Sequence, residues 1–154
     1  MKPDPSFQLV AAVMTTADAF LRESQRLFRP LGATGAQYNV LNILMSHPAG
    51  MSQRELGDLL VVDRSNVTGL LDRLEKNGLV RRQDDPDDRR VYQILITPAG
   101  SARWEKLHPL YLAAVERITR GLNEKQMQTA HQILRHLEAG APGQQAGKGP
   151  QRTG

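Results

Sequence analysis

Residues 52–78 read SQRELGDLLVVDRSNVTGLLDRLEKNG, and the spacing of caps and apolar positions in this stretch decides the fold. Ser52 and Glu55 form a capping-box pattern, in which a hydroxyl accepts from the N3 amide while the N3 side chain reaches back to the cap. Leu56, Leu59 and Leu60 are the expected buried side of the helix that follows, which is barely two turns long. Val61-Val62-Asp63 then reads as a turn, with Asp63 able to cap the next helix. Along that helix Val67, Leu70, Leu71 and Leu74 recur at three-and-four spacing, and Gly78 ends it. Two short helices around a three-residue turn form a helix-turn-helix.

Downstream, Leu79-Val80-Arg81-Arg82-Gln83 and Val91 to Ile96 have strand-like content, separated by the turn-rich Asp84-Asp85-Pro86-Asp87-Asp88. A β-hairpin, or wing, is expected there. Thr97-Pro98 opens a long helix through Leu107, Leu110, Leu112, Val115 and Ile118, which Pro109 should bend or interrupt and Gly121 should end. Asn123 with Gln126 caps a last helix carrying Met127, Ala130, Ile133, Leu134 and Leu137, closed by Ala139-Gly140. Upstream, Phe7, Val10, Val13, Met14, Ala17, Phe20 and Leu21 form one apolar stripe on a first helix ending near Phe28. Thr34 and Gln37 cap a second helix that runs to about Ser46. Residues 141–154 are Gly, Gln and Pro with two basic residues, too little apolar surface to offset the entropy of ordering, and a disordered tail is expected.

The fold class is therefore mainly α with a small β-hairpin wing, on a chain of 154 residues that fits one domain or a small domain with an accessory layer. There is no cysteine, which excludes disulfides, thiolate metal sites and cysteine nucleophiles. The net charge is +4, but the segment Met51 to Gly100 holds eight Arg/Lys against nine Asp/Glu, so basicity there argues for nothing. The start mimics a signal peptide with an Ala17-Asp18-Ala19 cleavage site. Asp4 and the prolines Pro3 and Pro5 sit where a basic region belongs, and no stretch approaches the roughly 20 apolar residues of a membrane span. A cytoplasmic protein without membrane partners is expected.

Thr34-x-x-Gln37-Tyr38-x-Val40-Leu41, Ser52-Gln53-x-Glu55-Leu56, Asp63 to Thr68, Asp72-Arg73-Leu74-Glu75, Gly78-Leu79-Val80-x-Arg82, Asp85-Pro86-x-Asp88-x-Arg90 and Thr97-Pro98-x-Gly100 occur in order at fixed separations. Together they resemble the MarR family over about Thr34 to Gly100. The resemblance implies a bacterial or archaeal winged helix-turn-helix regulator of transcription that works as a homodimer on duplex DNA. It implies an N-terminal dimerisation helix at 5–33, a DNA-binding domain at 34–100 and C-terminal dimerisation helices at 101–140. Family members are commonly repressors released from a pseudopalindromic operator by small, often phenolic or anionic, effectors. Activators exist too, so the sign of regulation stays open.

With Val67 at the centre of the buried face, a rotation of roughly 100° per residue puts Ser65, Gly69, Asp72 and Lys76 opposite, flanked by Asn66, Arg73 and Thr68. Such a face suits the major groove, where the first turn of a recognition helix contacts base edges. Arg64, Ser65 and Asn66 are the expected base readers, and Thr68 and Arg73 the phosphate contacts. Ser52, Gln53 and Arg54 open the preceding helix and are further phosphate candidates, although capping is the firmer role for Ser52. Gly69 costs about 1 kcal/mol in mid-helix and is explained equally by close approach of DNA or by neutral tolerance. Arg90 matches the arginine that the family places in the minor groove, with Asp88 orienting it and Arg89 touching phosphate or sharing the wing tip.

Other chemistries fare worse. The acidic turn at 84–88 has neither the glycine nor the distal glutamate of a calcium loop. His131 and His136 are five apart rather than three or four, so no metal site is expected from them, His47 and His108. Tyr38 and Trp104 face a choice between an effector cavity and core, with core the commoner fate of an aromatic at helical spacing. No cofactor motif, P-loop or nucleophile-base pair points to an enzyme. A winged helix that binds only protein is the remaining alternative, against which Arg90 at the wing tip argues.

Overall fold

The computed structural model describes residues 4–60, 64–85 and 91–141. Helix α1 spans Pro5–Phe28, a 3-10 turn follows at Arg29–Leu31, and α2 spans Gly35–Met45. Strand β1 (Met51–Ser52) leads into α3 (Gln53–Leu59), then α4 (Arg64–Lys76), β2 (Val80–Asp84) and β3 (Tyr92–Ile96). Helices α5 (Pro98–Thr119) and α6 (Glu124–Gly140) complete the order. The fold is mainly α with a small antiparallel sheet, as expected.

The caps are local and were readable. Thr34 with Gln37, Ser52 with Glu55 and Asn123 with Gln126 each form a reciprocal capping box that satisfies amides left unpaired at a helix start. Gly78 and Gly121 adopt positive φ of 69° and 91° where chain direction changes after a helix, a backbone region that glycine enters without steric cost. The Val61 to Asp63 turn, the wing tip at 86–90 and the tail from 142 lie outside the described residues.

Three expectations need correction. Leu59 is 53% exposed, whereas Leu56 and Leu60 are buried. Leu60 already leaves helical geometry with ψ of 133°, and Leu59 lies at the rim of the face those two share. The sheet has three strands in the order β1-β3-β2, because Met51 and Ser52 pair with Ile94 and Gln93. Two residues carry no periodicity, so this strand had no signature. Of the two outcomes expected at Pro109, interruption does not occur, since α5 runs on through it. Glu105, whose carbonyl loses the proline's missing donor, is an exposed residue, so water can replace that bond.

Close packing divides the chain after Ala113 into two compact units. In the first, Val40, Leu41 and Leu44 of α2, Leu56 and Leu60, the inner face of α4 and Met51, Val80 and Ile94 of the sheet form one core. Phe28, Ala33, Tyr38 and Leu107 form a second, and Trp104 packs against both. All four apolar positions read for α4, namely Val67, Leu70, Leu71 and Leu74, are buried. Burying a side chain of this size is worth about 1.5–3 kcal/mol, so the helix-turn-helix is clamped to the sheet and to α2 by its back.

Candidate nucleic-acid interface

Because its apolar stripe is buried, α4 turns a polar face outward: Asn66, Thr68, Asp72, Arg73 and Lys76 are all exposed. Arg64 and Ser65 open this helix, and their side chains lie outside those described, as do Asp88, Arg89 and Arg90. A Cβ added at Gly69 would meet only the Arg73 guanidinium, at 3.6 Å, so Arg73 reaches back over the glycine. No packing among the described residues demands glycine here.

Helix α3 presents its start beside this face. The Ser52 hydroxyl accepts from the Glu55 amide (3.2 Å) and donates to Glu55 Oε2 (2.8 Å), while the Ser52 amide donates to the same oxygen (2.8 Å). These bonds from Ser52 hold the Glu55 carboxyl below its usual range, with nearby His47 helping and Asp85 opposing. The capping role is thus the one the geometry displays for Ser52. Gln53 Nε2 donates to Thr68 Oγ1 at 2.8 Å, joining two residues that the sequence suggested independently as backbone contacts. Arg54 is exposed next to them.

The wing stands on a brace that sequence reasoning missed. The Arg82 amide donates to Glu75 Oε1 (2.9 Å), its Nη1 to Glu75 Oε2 (2.5 Å) and its Nη2 to Asp72 Oδ1 (2.7 Å). Burial alone would lower the guanidinium pKa, yet hydrogen bonds and charge attraction to Asp72 and Glu75 raise it. The available signal was the period of two along β2: Val80 is buried, so Arg82 must lie on the inward side of the strand. An arginine on an inward face needs an acidic partner. Register continues from Val80 opposite Ile96 to Asp84 opposite Tyr92, with the Asp85 amide donating to the Val91 carbonyl (3.0 Å).

Just beyond the C-terminus of α4, Thr97 donates its hydroxyl to the Gly78 carbonyl (2.6 Å) and accepts from the Gly100 amide (3.0 Å). Its own amide donates to the Leu79 carbonyl (3.1 Å). The start of α5 is therefore stitched to the turn after α4. Tyr38 is a core residue, 1% exposed and stacked on Phe28 at 5.1 Å, whereas Trp104 is half-buried at the edge of both clusters. The Tyr38 hydroxyl meets His108 Nδ1 at 2.8 Å, and Trp104 Nε1 donates to Asn42 Oδ1 at 3.0 Å while stacking on His108 at 4.2 Å. Burial, with the neighbouring Tyr111, pushes the Tyr38 hydroxyl up to about 12. Among the described residues no cluster of three or more potential metal ligands occurs, and no helix is long and apolar enough to cross a membrane.

Known proteins share this arrangement. The sequence model of the MarR family matches residues 31–91. The multiple antibiotic resistance protein MarR of Escherichia coli is 30% identical over 134 residues, covering 86% of this chain and 90% of that protein. A crystal structure of a cysteine-to-serine mutant of that protein complexed with operator DNA is 29% identical, with a TM-score of 0.69 over 86% of this chain and 93% of its own. CouR from Rhodococcus jostii RHA1, crystallised with p-coumaroyl-CoA, is 25% identical, with a TM-score of 0.78 over 88% of this chain and 95% of its own. With its winged helix-turn-helix and a relative matched along nearly its whole length, the chain belongs to the MarR family of transcriptional regulators.

Proposed function

We propose that the protein is a repressor that binds a pseudopalindromic operator as a homodimer and releases it when a small phenolic or anionic effector binds. One observation carries the reading: α4 is held by its buried apolar back so that a polar face, with Gln53 and Arg54 beside it, is free to enter a major groove. Arg64, Ser65 and Asn66 read bases, Thr68, Arg73, Ser52, Gln53 and Arg54 hold phosphates, and Arg90 enters the minor groove with Asp88 and Arg89 beside it. The relative crystallised with operator DNA supports this use of the fold, and the one crystallised with an acyl-CoA supports control by a small ligand.

Dimerisation falls to residues 5–33 and 101–140. In the single chain Phe7 is 73% and Met14 69% exposed, with Val10, Phe20 and Leu21 also open on α1 and Met127, Ile133 and Leu134 open on α6. Apolar surface of this extent is what a second copy covers. Two recognition helices must then fall one turn of DNA apart, roughly 34 Å, so an effector that shifts them by a few ångströms ends simultaneous contact.

Selection of bound duplexes from a random library, with sedimentation of the free protein, tests the reading. A two-fold-related consensus and a dimer are expected. A monomer, or no enriched duplex across a range of salt, contradicts it.

A further inference from the structure

Gln53 and Thr68 were each suggested as contacts to the DNA backbone, yet the structure spends one on the other. Gln53 opens α3, Thr68 lies in the second turn of α4, and the 2.8 Å bond from Gln53 Nε2 to Thr68 Oγ1 spans the two helices. Both side chains are on the polar surface, Thr68 exposed and Gln53 half-buried. A threonine hydroxyl carries one hydrogen to donate and two lone pairs to accept with. A free hydroxyl rotates among acceptors. Here one lone pair is filled by an amide N–H, so the hydroxyl hydrogen must point away from Gln53.

We propose that Gln53 is a positioning residue that makes Thr68 an oriented donor to a DNA phosphate oxygen, a role that rests on the DNA-binding reading above. The amide cannot take the Thr68 hydrogen through its nitrogen, because that nitrogen is itself the donor. With that lone pair filled, the hydroxyl hydrogen faces away from Gln53 before DNA arrives, and a bond to an anionic oxygen is stronger than one between neutral groups. Pre-orienting it removes part of the ordering cost of binding. The same bond ties the start of α3 to the recognition helix, so a phosphate gripped through Thr68 is held in register with the bases that α4 reads.

A double-mutant cycle on the duplex selected by the wild-type protein tests this by fluorescence anisotropy, with a thermal melt of each variant as control. Gln53→Met keeps the length and removes the donor, Thr68→Val removes the hydroxyl, and Thr68→Ser keeps it. Each of Gln53→Met and Thr68→Val is expected to weaken binding about tenfold, the scale of one hydrogen bond to a charged group. Thr68→Ser should bind within about twofold of wild type, and the double variant should be no weaker than Thr68→Val alone. Additive losses in the double variant, or unchanged affinity in Gln53→Met, overturn the proposal while leaving DNA binding intact. Failure of the wild-type chain to enrich any duplex overturns the DNA-binding reading and this role with it.

Discussion

Arg82 and Glu75 are joined twice, by Nη1 to Oε2 at 2.5 Å and by the Arg82 amide to Oε1 at 2.9 Å, so one carboxylate holds the base of the wing to the last turn of α4. Asp72 takes the remaining arm of the guanidinium at 2.7 Å. Arg82→Met should lower stability by about 1–3 kcal/mol, since the Glu75 carboxylate keeps only the amide. Arg82→Lys should recover only part, because an ammonium cannot fork between two carboxylates. Urea unfolding with an unchanged slope is the measurement that checks it.

Gly69→Ala separates the two explanations left open by the sequence. Among the described residues the added Cβ meets nothing nearer than the Arg73 guanidinium at 3.6 Å, an ordinary contact, so the fold should gain about 1 kcal/mol from the better helix former. If DNA approaches this face closely, affinity for the selected duplex should fall while the melting temperature rises. A rise in both would show glycine to be merely tolerated.

Gly100→Ala should do the reverse. Its Cβ would stand 2.0 Å from the Leu79 carbonyl oxygen and 2.8 Å from Ile96 Cγ1, and a backbone atom cannot swing aside. The start of α5 must shift, at a cost on the order of 1–3 kcal/mol, and the Thr97 bonds to Gly78 and Gly100 should weaken with it. Denaturant titration reads the loss. This contact gives the Thr97-Pro98-x-Gly100 motif its physical content.

Acid should weaken the start of α3. Bonds from Ser52 hold the folded Glu55 carboxyl below its unfolded value, so the stabilisation is present above about pH 4.3 and is lost as pH falls through the lower, folded value. Glu55→Gln retains an acceptor without titrating there. The stability difference between wild type and Glu55→Gln should therefore shrink as pH drops below about 4, and a constant difference from pH 7 to pH 3 would contradict the assignment.

Alkali acts at the other end of the first unit. The Tyr38 hydroxyl is raised to about 12 in the fold against about 10 unfolded, so its contribution is complete below pH 10 and disappears as pH rises toward 12. Tyr38→Phe should remove that alkaline loss of stability, read by circular dichroism across pH 9–12. At neutral pH it costs the bond to His108, about 1 kcal/mol.

Sequence alone determined the order of the helices, the three capping boxes, the glycine stops and the inner face of α4, because these depend on residues close along one helix. It also placed Gln53 and Thr68 on the outer surface, but not against each other. Only the tertiary structure decided the pairs that cross between elements: Gln53 with Thr68 at a separation of 15 residues, Trp104 with Asn42 at 62 and Tyr38 with His108 at 70. It likewise decided the two-residue strand at Met51–Ser52, the exposure of Leu59 and the brace from Arg82 to Asp72 and Glu75. Local rules act through backbone geometry that every helix shares, whereas these contacts depend on how helices and sheet pack, which no fixed spacing along the chain encodes.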